Sequence, residues 1–295
     1  MNPDSKIIPS WSVSHLKSPV DGVEIRYAVR EIEQPAHRIL FLNGRSEWIE
    51  KYQDLPGDTR FGEDSFWVMM DHRGQGGSDG LKAHVTTYET FAKDVAAVVN
   101  ATFEGQPYSI LAHSMGGLIS LYGTLTGVLT PQSLALCSPL MGMLMPMPKF
   151  AAKALALVFT YSPFSTRSAG GIERRKHFKD NPLTQSKRRF RSMTECVYQS
   201  SPPTFAWVHA TFGAFRVLNN AKYLSGMKIP VAIIVGEKEA VVDRTVYESW
   251  LRKWAKLSGR KGVFMLVAGA QHELLNEADK YRNQAIEFIN KNLRV

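Results

Sequence analysis

The sequence predicts an α/β fold with a mostly parallel central sheet, helices on both faces, and an inserted, mainly helical cap. Short apolar runs of strand length alternate with longer segments of helical spacing, which is the pattern of a parallel sheet covered on both faces. The alternation stops after Cys137 and resumes at Ile229. We therefore expect a core formed by residues 1–139 and 226–295 and a cap formed by residues 140–225, lying over the carboxyl ends of the strands.

The elements follow in order along the chain. The first thirty residues predict two strands around an Asp21-Gly22 turn, because Val23, Ile25 and Tyr27 alternate with polar residues. Continuous apolar runs then predict buried strands, and helical spacing predicts helices. The predicted strands are 38–42, 66–70, 109–111, 133–137, 229–236 and 262–267, and the predicted helices are 47–55, 86–102, 149–161, 244–257 and 279–292.

The segment Tyr108–Gly117, YSILAHSMGG, predicts a nucleophile elbow. An apolar strand stops at Ser114, and a helix-compatible run follows at once. The strained turn requires small residues two positions on either side, and Ala112 and Gly116 meet that demand. A stricter G-x-S-x-G match surrounds Ser78, but it lies in a polar, glycine-rich loop that no helix follows. Ser114 is the candidate nucleophile, and Ser78 is predicted to be a turn serine.

A serine hydroxyl needs a base within hydrogen-bond reach, and that base needs an acid to hold its tautomer. His272 is the candidate base because it lies in the loop before the last helix, whereas the two other histidines after Ser114 lie in the cap. Glu239 follows the turn glycine of the strand at 229–236 by three residues and is the preferred acid. Asp243 is the alternative acid, and it can instead cap the following helix.

The candidate oxyanion hole requires two backbone N–H groups aimed at the developing charge. Met115, directly after the candidate nucleophile, should supply one, and Arg45, in the loop after the strand at 38–42, should supply the other. The methionines from Met141 to Met147, among them Met143, have two equally favoured interpretations: that they line an acyl channel, and that they pack the cap against the core.

Composition limits the class of protein and its compartment. The chain has 295 residues, 44% of them hydrophobic, which suffices for one core with an insertion. Its two cysteines form neither a disulfide framework nor a metal-ligand spacing, so a reducing compartment is expected. The first 13 residues lack the apolar stretch of a signal peptide, and no run reaches the ~18 apolar residues of a membrane span. We expect a cytoplasmic protein, either soluble or peripheral to the inner face of the membrane.

No cofactor or metal is expected, because the sequence contains no P-loop, dinucleotide fingerprint or metal-ligand cluster. The formal charge of +9 is concentrated in the cap, where residues 140–225 contain 13 Lys or Arg and 3 Asp or Glu. Two basic clusters stand at 174–176 and 187–189. Such runs are usually a solvated face. The sharper hypothesis is that they hold the cap against anionic lipid headgroups.

Six segments, in this order, resemble the lysophospholipase L2 and monoacylglycerol lipase group of α/β-hydrolases. They are LNGRSEWIEKY (42–52), DHRGQGGSDG (71–80), LAHSMGG (111–117), SPPTFAWV (201–208), VGEKEAVVD (235–243) and GAQHELLNE (269–277). The resemblance spans nearly the whole chain. It implies hydrolysis of a lysophospholipid or monoacylglycerol ester through an acyl-enzyme, with an acyl tunnel formed by a lid-like cap.

The resemblance also bears on single residues. It supports Glu239, because the group carries its acid at this place, commonly as Asp. It implies substrate contacts from the cap motif, at Thr204, Phe205 and Trp207. Gly44 of the oxyanion loop and Met141 and Met143 of the possible acyl channel complete the predicted substrate-binding residues. Three residues depart from the group's pattern: Asn43 where its lipases often have His, Ala112 in the elbow, and Glu239 itself. The departures weaken the transfer of the substrate more than that of the catalytic residues.

Other functions remain open from the sequence. Within the hydrolases, the alternatives are a short-chain carboxylesterase, a peptidase, or another α/β-hydrolase with a non-lipid substrate. A cofactor-free oxidoreductase or peroxidase on the same fold is a further one. A non-catalytic basic protein that binds membrane or nucleic acid would explain the charge of the cap, but it leaves the ordered Ser, Glu and His unexplained. No nucleic acid partner is expected, and labelling of Ser114 by a fluorophosphonate separates an enzyme from a binding protein.

Overall fold

The computed structural model describes residues 10–62, 64–145, 147–170, 177–196, 198 and 201–294. The basic cluster at 174–176 and the first nine residues, on which the signal-peptide prediction partly rests, lie outside the described residues. One sheet of eight strands forms the centre of the described fold. The strands are β1 (Ser12–Lys17), β2 (Glu24–Arg30), β3 (His37–Leu42), β4 (Ser65–Met70), β5 (Ser109–His113), β6 (Leu134–Cys137), β7 (Val231–Gly236) and β8 (Val263–Val267).

The strand order is β1-β2-β4-β3-β5-β6-β7-β8. β1 pairs antiparallel with β2, and β2 pairs antiparallel with β4. All pairs from β4 to β8 are parallel. Parallel strands require crossover connections, and helices form most of these. The predicted α/β class with a mostly parallel sheet is confirmed.

Helices cover both faces of the sheet. The helices of the described residues, including those of the cap, are α1 (Leu55–Asp58), α2 (Tyr88–Phe103), α3 (Met115–Thr126), α4 (Lys149–Thr160), α5 (Lys187–Thr194), α6 (Phe205–Leu218), α7 (Ala221–Gly226), α8 (Val246–Ser258) and α9 (Asp279–Asn292). Alternate residues of one strand enter different cores: Leu40 packs in the cluster with α2, α3 and α8, while Ile39 packs in the cluster with α9. The sequences of these strands are continuous apolar runs because both faces of the sheet are buried.

The helix predicted at 47–55 is absent from the structure. A 3₁₀ turn at Ile49–Lys51 and the short helix α1 stand in its place. Side chains satisfy the backbone of this loop: the N–H of Ile49 donates to Asp71 Oδ1 at 2.9 Å, and the N–H of Gly44 donates to the carboxylate of Glu47. The prediction of one helix over 47–55 is therefore wrong, because these side-chain contacts compete with the backbone hydrogen bonds of a helix.

The eight strands of the sheet all lie outside residues 140–225, whereas α4, α5 and α6 lie within them and α7 extends one residue beyond, to Gly226. This segment contacts the loops at the carboxyl ends of the strands. The N–H of Thr204 donates to the carbonyl of Ala83 at 3.1 Å, and Gln185 Nε2 lies 3.0 Å from Glu277 Oε1. Within the described residues, no helix is long and apolar enough to cross a membrane.

Candidate active site

Ser114 occupies a sharp turn between β5 and α3. Its φ is 50° and its ψ is −114°, a conformation that costs free energy in any residue with a side chain. Hydrogen bonds hold the turn, since its N–H donates to the carbonyl of Cys137 at 3.0 Å and its carbonyl accepts the N–H of Leu140 at 2.9 Å. A Cβ on Gly116 would lie 2.2 Å from the carbonyl oxygen of Leu42. The close approach of helix and strand therefore leaves no room for a side chain at Gly116, where the elbow predicted from the sequence requires a small residue.

A continuous chain of hydrogen-bonding groups joins Ser114, His272 and Glu239. His272 Nε2 lies 3.2 Å from Ser114 Oγ, and His272 Nδ1 lies 2.7 Å from Glu239 Oε2. Glu239 Oε1 also accepts the N–H groups of Val241 and Val242, at 2.7 and 3.1 Å, which fixes the carboxylate. Because a carboxylate only accepts, it selects the tautomer with the proton on Nδ1. Nε2 is then left to accept the proton of the serine hydroxyl.

The charges around the imidazole favour its protonation. Burial opposes the imidazolium, but the carboxylates around it, Glu239 first and then Glu273 and Glu47, together raise the pKa of His272 above its ordinary value of 6.5. Burial likewise opposes ionisation of Glu239, yet His272 and the two backbone donors hold the pKa of Glu239 below its usual value. The pair is therefore arranged to stabilise the positive charge that the imidazole acquires when it takes a proton.

Asp243, the alternative acid, belongs to a different network. Its carboxylate accepts the hydroxyl hydrogen of Thr245 at 2.5 Å and pairs with Lys149 Nζ, in α4, at 2.9 Å. Partial burial opposes ionisation, but these two contacts lower the pKa of Asp243. The structure thus places Glu239, and not Asp243, against His272.

The loop after β3 passes directly beside the serine. A Cβ on Gly44 would lie 3.1 Å from the Cβ of Ser114. Arg45 follows this glycine, and Met115 is the first residue of α3, where backbone N–H groups have no partner within the helix. The two residues predicted to form the oxyanion hole therefore belong to the two segments that flank Ser114.

Gln75 holds this loop in shape, a role that the sequence did not reveal. Its Nε2 donates to Asn43 Oδ1 at 3.1 Å and to the carbonyl of Gly44 at 2.9 Å, while its Oε1 accepts the N–H of Ser46 at 3.1 Å. Asn43 Nδ2 in turn donates to the carbonyl of Met70 at 3.1 Å. The asparagine that departs from the family pattern is thus an anchor of the loop on β4.

The two methionines predicted to contact substrate lie on the segment after β6. Met141 is buried and borders a cavity of about 240 Å³ together with Leu218 and Trp250. Met143 forms an isolated antiparallel bridge with Val242, close to the backbone donors of Glu239. Both methionines therefore lie where the cap segment meets the core.

The three predicted contacts from α6 are placed differently from one another. The hydroxyl of Thr204 caps α6 by accepting the N–H of Trp207 at 3.2 Å. The ring of Phe205 stacks on Phe159 of α4, with centroids 4.5 Å apart, so it packs within the cap. The buried ring of Trp207 lies 5.7 Å from the guanidinium carbon of Arg45. Trp207 is thereby joined to the loop beside Ser114.

Ser78 occupies a turn, as predicted. Its Oγ donates to the carbonyl of Asp71 at 2.6 Å and accepts the N–H of Arg26 at 2.8 Å. The side chains of Arg26 and Asp71 form a buried ion pair at 2.7 Å beneath it. The hydroxyl therefore links β2 to the loop after β4, a structural role.

Three buried charged residues near the site were missed: Glu47, Lys51 and Glu273. Lys51 Nζ lies 2.5 Å from Glu47 Oε1 and 2.8 Å from Glu273 Oε2. The four-residue spacing of Glu47 and Lys51, and the position of Glu273 next to the candidate base, were the available signals. Neither reveals burial. Among the described residues, no group of three His, Cys, Asp or Glu side chains has the geometry to hold a metal ion.

The mostly parallel sheet, the strained serine after β5 and its hydrogen-bonded histidine and glutamate define a serine hydrolase of the α/β-hydrolase class. The sequence profile of one family of this class, described as serine aminopeptidase, S33 (Hydrolase_4), matches residues 33–279. The chain belongs to this family.

Individual relatives cover most of the chain at modest identity. The chain is 29% identical over 293 residues to lysophospholipase L2 of Escherichia coli K12, covering 92% of this chain and 84% of that protein. It is 28% identical over 289 residues to the probable lysophospholipase L2 of Haemophilus influenzae, covering 92% and 89%. It is 24% identical over 271 residues to human monoglyceride lipase, covering 87% and 82%.

Solved structures share the fold. A soluble variant of the monoglyceride lipase of Saccharomyces cerevisiae, in complex with a substrate analogue, superposes with a TM-score of 0.74 at 19% identity, covering 95% of this chain and 93% of that one. A carboxyl esterase of Bacillus coagulans superposes with a TM-score of 0.77 at 16% identity, covering 96% and 98%. At these identities the likeness extends to the fold alone.

Proposed function

We propose that this enzyme hydrolyses carboxylic esters of single-chain lipids, lysophospholipids or monoacylglycerols, through an acyl-enzyme on Ser114. The chain of groups from Glu239 through His272 to Ser114 carries the catalytic part of the proposal. The similarity to lysophospholipase L2 over 92% of the chain supports the lipid part.

The proposed reaction has two steps. His272 Nε2 takes the proton of Ser114 as Oγ attacks the ester carbonyl carbon, and the N–H groups of Arg45 and Met115 bind the resulting oxyanion. The tetrahedral intermediate then collapses, and the alcohol leaves with the proton from His272. Water, deprotonated by His272, attacks the acyl-enzyme in the second step. The fatty acid leaves and Ser114 regains its proton.

The side chain of Arg45 favours a lysophospholipid as substrate. Its guanidinium lies between the oxyanion loop and the cap, where Nη1 donates to the carbonyl of Ser201 at 2.7 Å and the guanidinium carbon lies 5.7 Å from the ring of Trp207. A guanidinium binds phosphate oxygens in pairs and with more strength than it binds a neutral hydroxyl. A lysophospholipid places a phosphate one glycerol away from its ester, whereas a monoacylglycerol places a hydroxyl there.

The headgroup preference is tested with a lysophospholipid and a monoacylglycerol that carry the same acyl chain. We expect Arg45→Gln, which keeps the backbone N–H, to lower the ratio of kcat/KM for the lysophospholipid to that for the monoacylglycerol by about tenfold. The control is Arg216→Gln, which removes an arginine of α6 away from the oxyanion loop, and it should leave the ratio unchanged. Equal losses on both lipids would contradict the role of Arg45. A wild-type enzyme that hydrolyses neither lipid, at any acyl chain length, would overturn the proposed function itself.

We also propose that the cap contacts the inner face of an anionic membrane. The outward face of α4 and its flanks is apolar, with Phe150 76% and Tyr161 81% exposed, and the buried side chains of α4 are alanines. On another helix of the cap, α5, the basic residues Lys187 and Arg188 are also exposed. Apolar side chains gain by entering the lipid interface, and each nearby basic residue adds about 1 kcal/mol on an anionic surface.

Liposome co-sedimentation tests this contact. Binding should require anionic lipid, weaken as salt is raised, and fall when Phe150 and Tyr161 are both replaced by serine. Leu81→Ser, at a residue 61% exposed on the core, is the matched control and should bind normally. Binding that ignores lipid charge and salt would refute the electrostatic part. Binding that survives the double substitution would refute the part played by α4.

A further inference from the structure

A buried ion triplet connects the loop that carries His272 to the loop beside Ser114. Lys51 Nζ lies 2.5 Å from Glu47 Oε1 and 2.8 Å from Glu273 Oε2. All three side chains are at most 4% exposed. Burying a charge is costly unless partners compensate, and two carboxylates around one ammonium leave a net negative charge. This cost of burial indicates that the cluster has a structural or a catalytic role.

One end of the triplet holds the oxyanion loop. Glu47 Oε2 accepts the N–H of Gly44 at 2.5 Å, and Glu47 Oε1 also accepts the hydroxyl hydrogen of Tyr52 at 2.9 Å. Gly44 directly precedes Arg45, whose N–H we assign to the oxyanion hole. A displacement of the Glu47 carboxylate would therefore move the peptide next to that donor.

The other end of the triplet is in the loop of the base. Glu273 follows His272, and its N–H donates to the carbonyl of Leu183 at 2.9 Å. The ammonium of Lys51 holds the Glu273 carboxylate from the opposite loop. The two loops come from distant parts of the chain, after β3 and after β8, and the triplet joins them.

We propose that Lys51 is a positioning residue of this hydrolase: by binding Glu47 and Glu273 together, it keeps the oxyanion loop in register with the loop of the general base. The inference rests on the proposed roles of Ser114, His272 and Arg45. A shift of about 1 Å between such groups can cost about a hundredfold in rate. Removing the link should therefore lower kcat more than it changes KM.

The triplet also contributes to the electrostatics of the base. The groups that face His272 are Glu239 after β7, Ser114 and His113 at the end of β5, Glu273 of its own loop, and Glu47 after β3. Lys51 pairs with two of these carboxylates, Glu47 and Glu273. Burial lowers the pKa of His113 to about 4, so this neighbour is neutral. Burial opposes charging of His272 as well, whereas the carboxylates of Glu239, Glu273 and Glu47 raise its pKa.

The sign of the pH effect follows from these charges. The general base must be neutral, so kcat/KM falls as the pH drops through the pKa of His272. Removing the Glu273 carboxylate should lower that pKa and move the acid limb to lower pH. Removing the Lys51 ammonium should raise it and move the limb to higher pH. A loss of packing alone would not produce shifts of opposite sign.

The test uses the full chain and a soluble p-nitrophenyl ester, so that it does not depend on the natural lipid. Lys51→Met should lower kcat about a hundredfold with KM changed less than about threefold, and Lys51→Arg should restore most of kcat. Glu273→Gln, which keeps the Lys51–Glu47 pair, should lower kcat about tenfold and move the acid limb down by about half a pH unit. Asp58→Asn, which breaks the ion pair of Arg282 at 2.5 Å, is the control and should leave the limb in place.

Several outcomes would overturn the inference. Wild-type kcat in Lys51→Met would do so, and so would a Lys51→Arg variant as impaired as Lys51→Met. If Lys51→Met does not fold, Glu273→Gln decides, and an unchanged kcat with an unmoved acid limb refutes the positioning role. A wild-type enzyme that hydrolyses the p-nitrophenyl ester but no single-chain lipid refutes the proposed substrate and leaves this inference standing.

Discussion

Replacing Ser114 by alanine should reduce ester hydrolysis by a factor of about 10⁴ to 10⁶ and abolish labelling by a fluorophosphonate. The hydroxyl lies 3.2 Å from His272 Nε2 at a turn with φ of 50°, so it is the group that the base can activate. The rate is measured with a fluorogenic ester and the label is located by peptide mass analysis. The circular dichroism spectrum should not change, because only one oxygen atom is removed.

Ser78→Ala is the matched control, since Ser78 carries the stricter sequence motif. Its hydroxyl bonds the backbone groups of Asp71 and Arg26. The substitution should therefore cost about 1 kcal/mol in the free energy of unfolding while labelling and turnover persist. A Ser114→Ala enzyme with the wild-type rate, or a label found on Ser78, would contradict the proposed mechanism.

Replacing Glu239 by glutamine should lower kcat by about 10⁴ while the fold is retained. An amide can donate a hydrogen to His272 Nδ1, which favours the tautomer with the proton on Nε2, and that nitrogen can then no longer accept the serine proton. The loss of the carboxylate also lowers the pKa of His272, because Glu239 no longer offsets the effect of burial, which disfavours the imidazolium. Steady-state kinetics across pH measure both effects.

Asp243→Asn is the paired control because Asp243 binds Lys149 and Thr245 instead of the base. It should change kcat by no more than about threefold, in line with the small contribution of partly exposed ion pairs. Reversal of the two results, with Asp243→Asn inactive and Glu239→Gln active, would contradict the arrangement described for the site.

The elbow illustrates how far local sequence can go. Two serines matched the motif, and the choice between them depended only on the flanking strand and helix, which are local features. The structure agrees at the level of the backbone: Ser114 lies between β5 and α3, and Ser78 lies in a hydrogen-bonded turn. The order of elements along the chain likewise placed the candidate acids after the strand that is β7 and His272 after the strand that is β8.

The choice between Glu239 and Asp243 shows where local sequence stops. Both carboxylates follow β7 within a few residues, so spacing alone only ranked them. The structure separates them through partners from elsewhere, because Lys149 of the cap binds Asp243 and His272 of the last loop binds Glu239. Which carboxylate meets the histidine depends on these long-range contacts.

The sequence by itself determined the α/β class, the order of its elements, the candidate serine and histidine, and two candidate acids, because apolar periodicity and turn chemistry are local. The tertiary structure alone decided that Glu47, Lys51 and Glu273 meet in one buried triplet, and that the helix expected at 47–55 gives way to a loop. Burial and hydrogen bonding between distant segments set these features. A charged residue is expected to be exposed unless a partner compensates its charge, and the partners here come from distant parts of the chain.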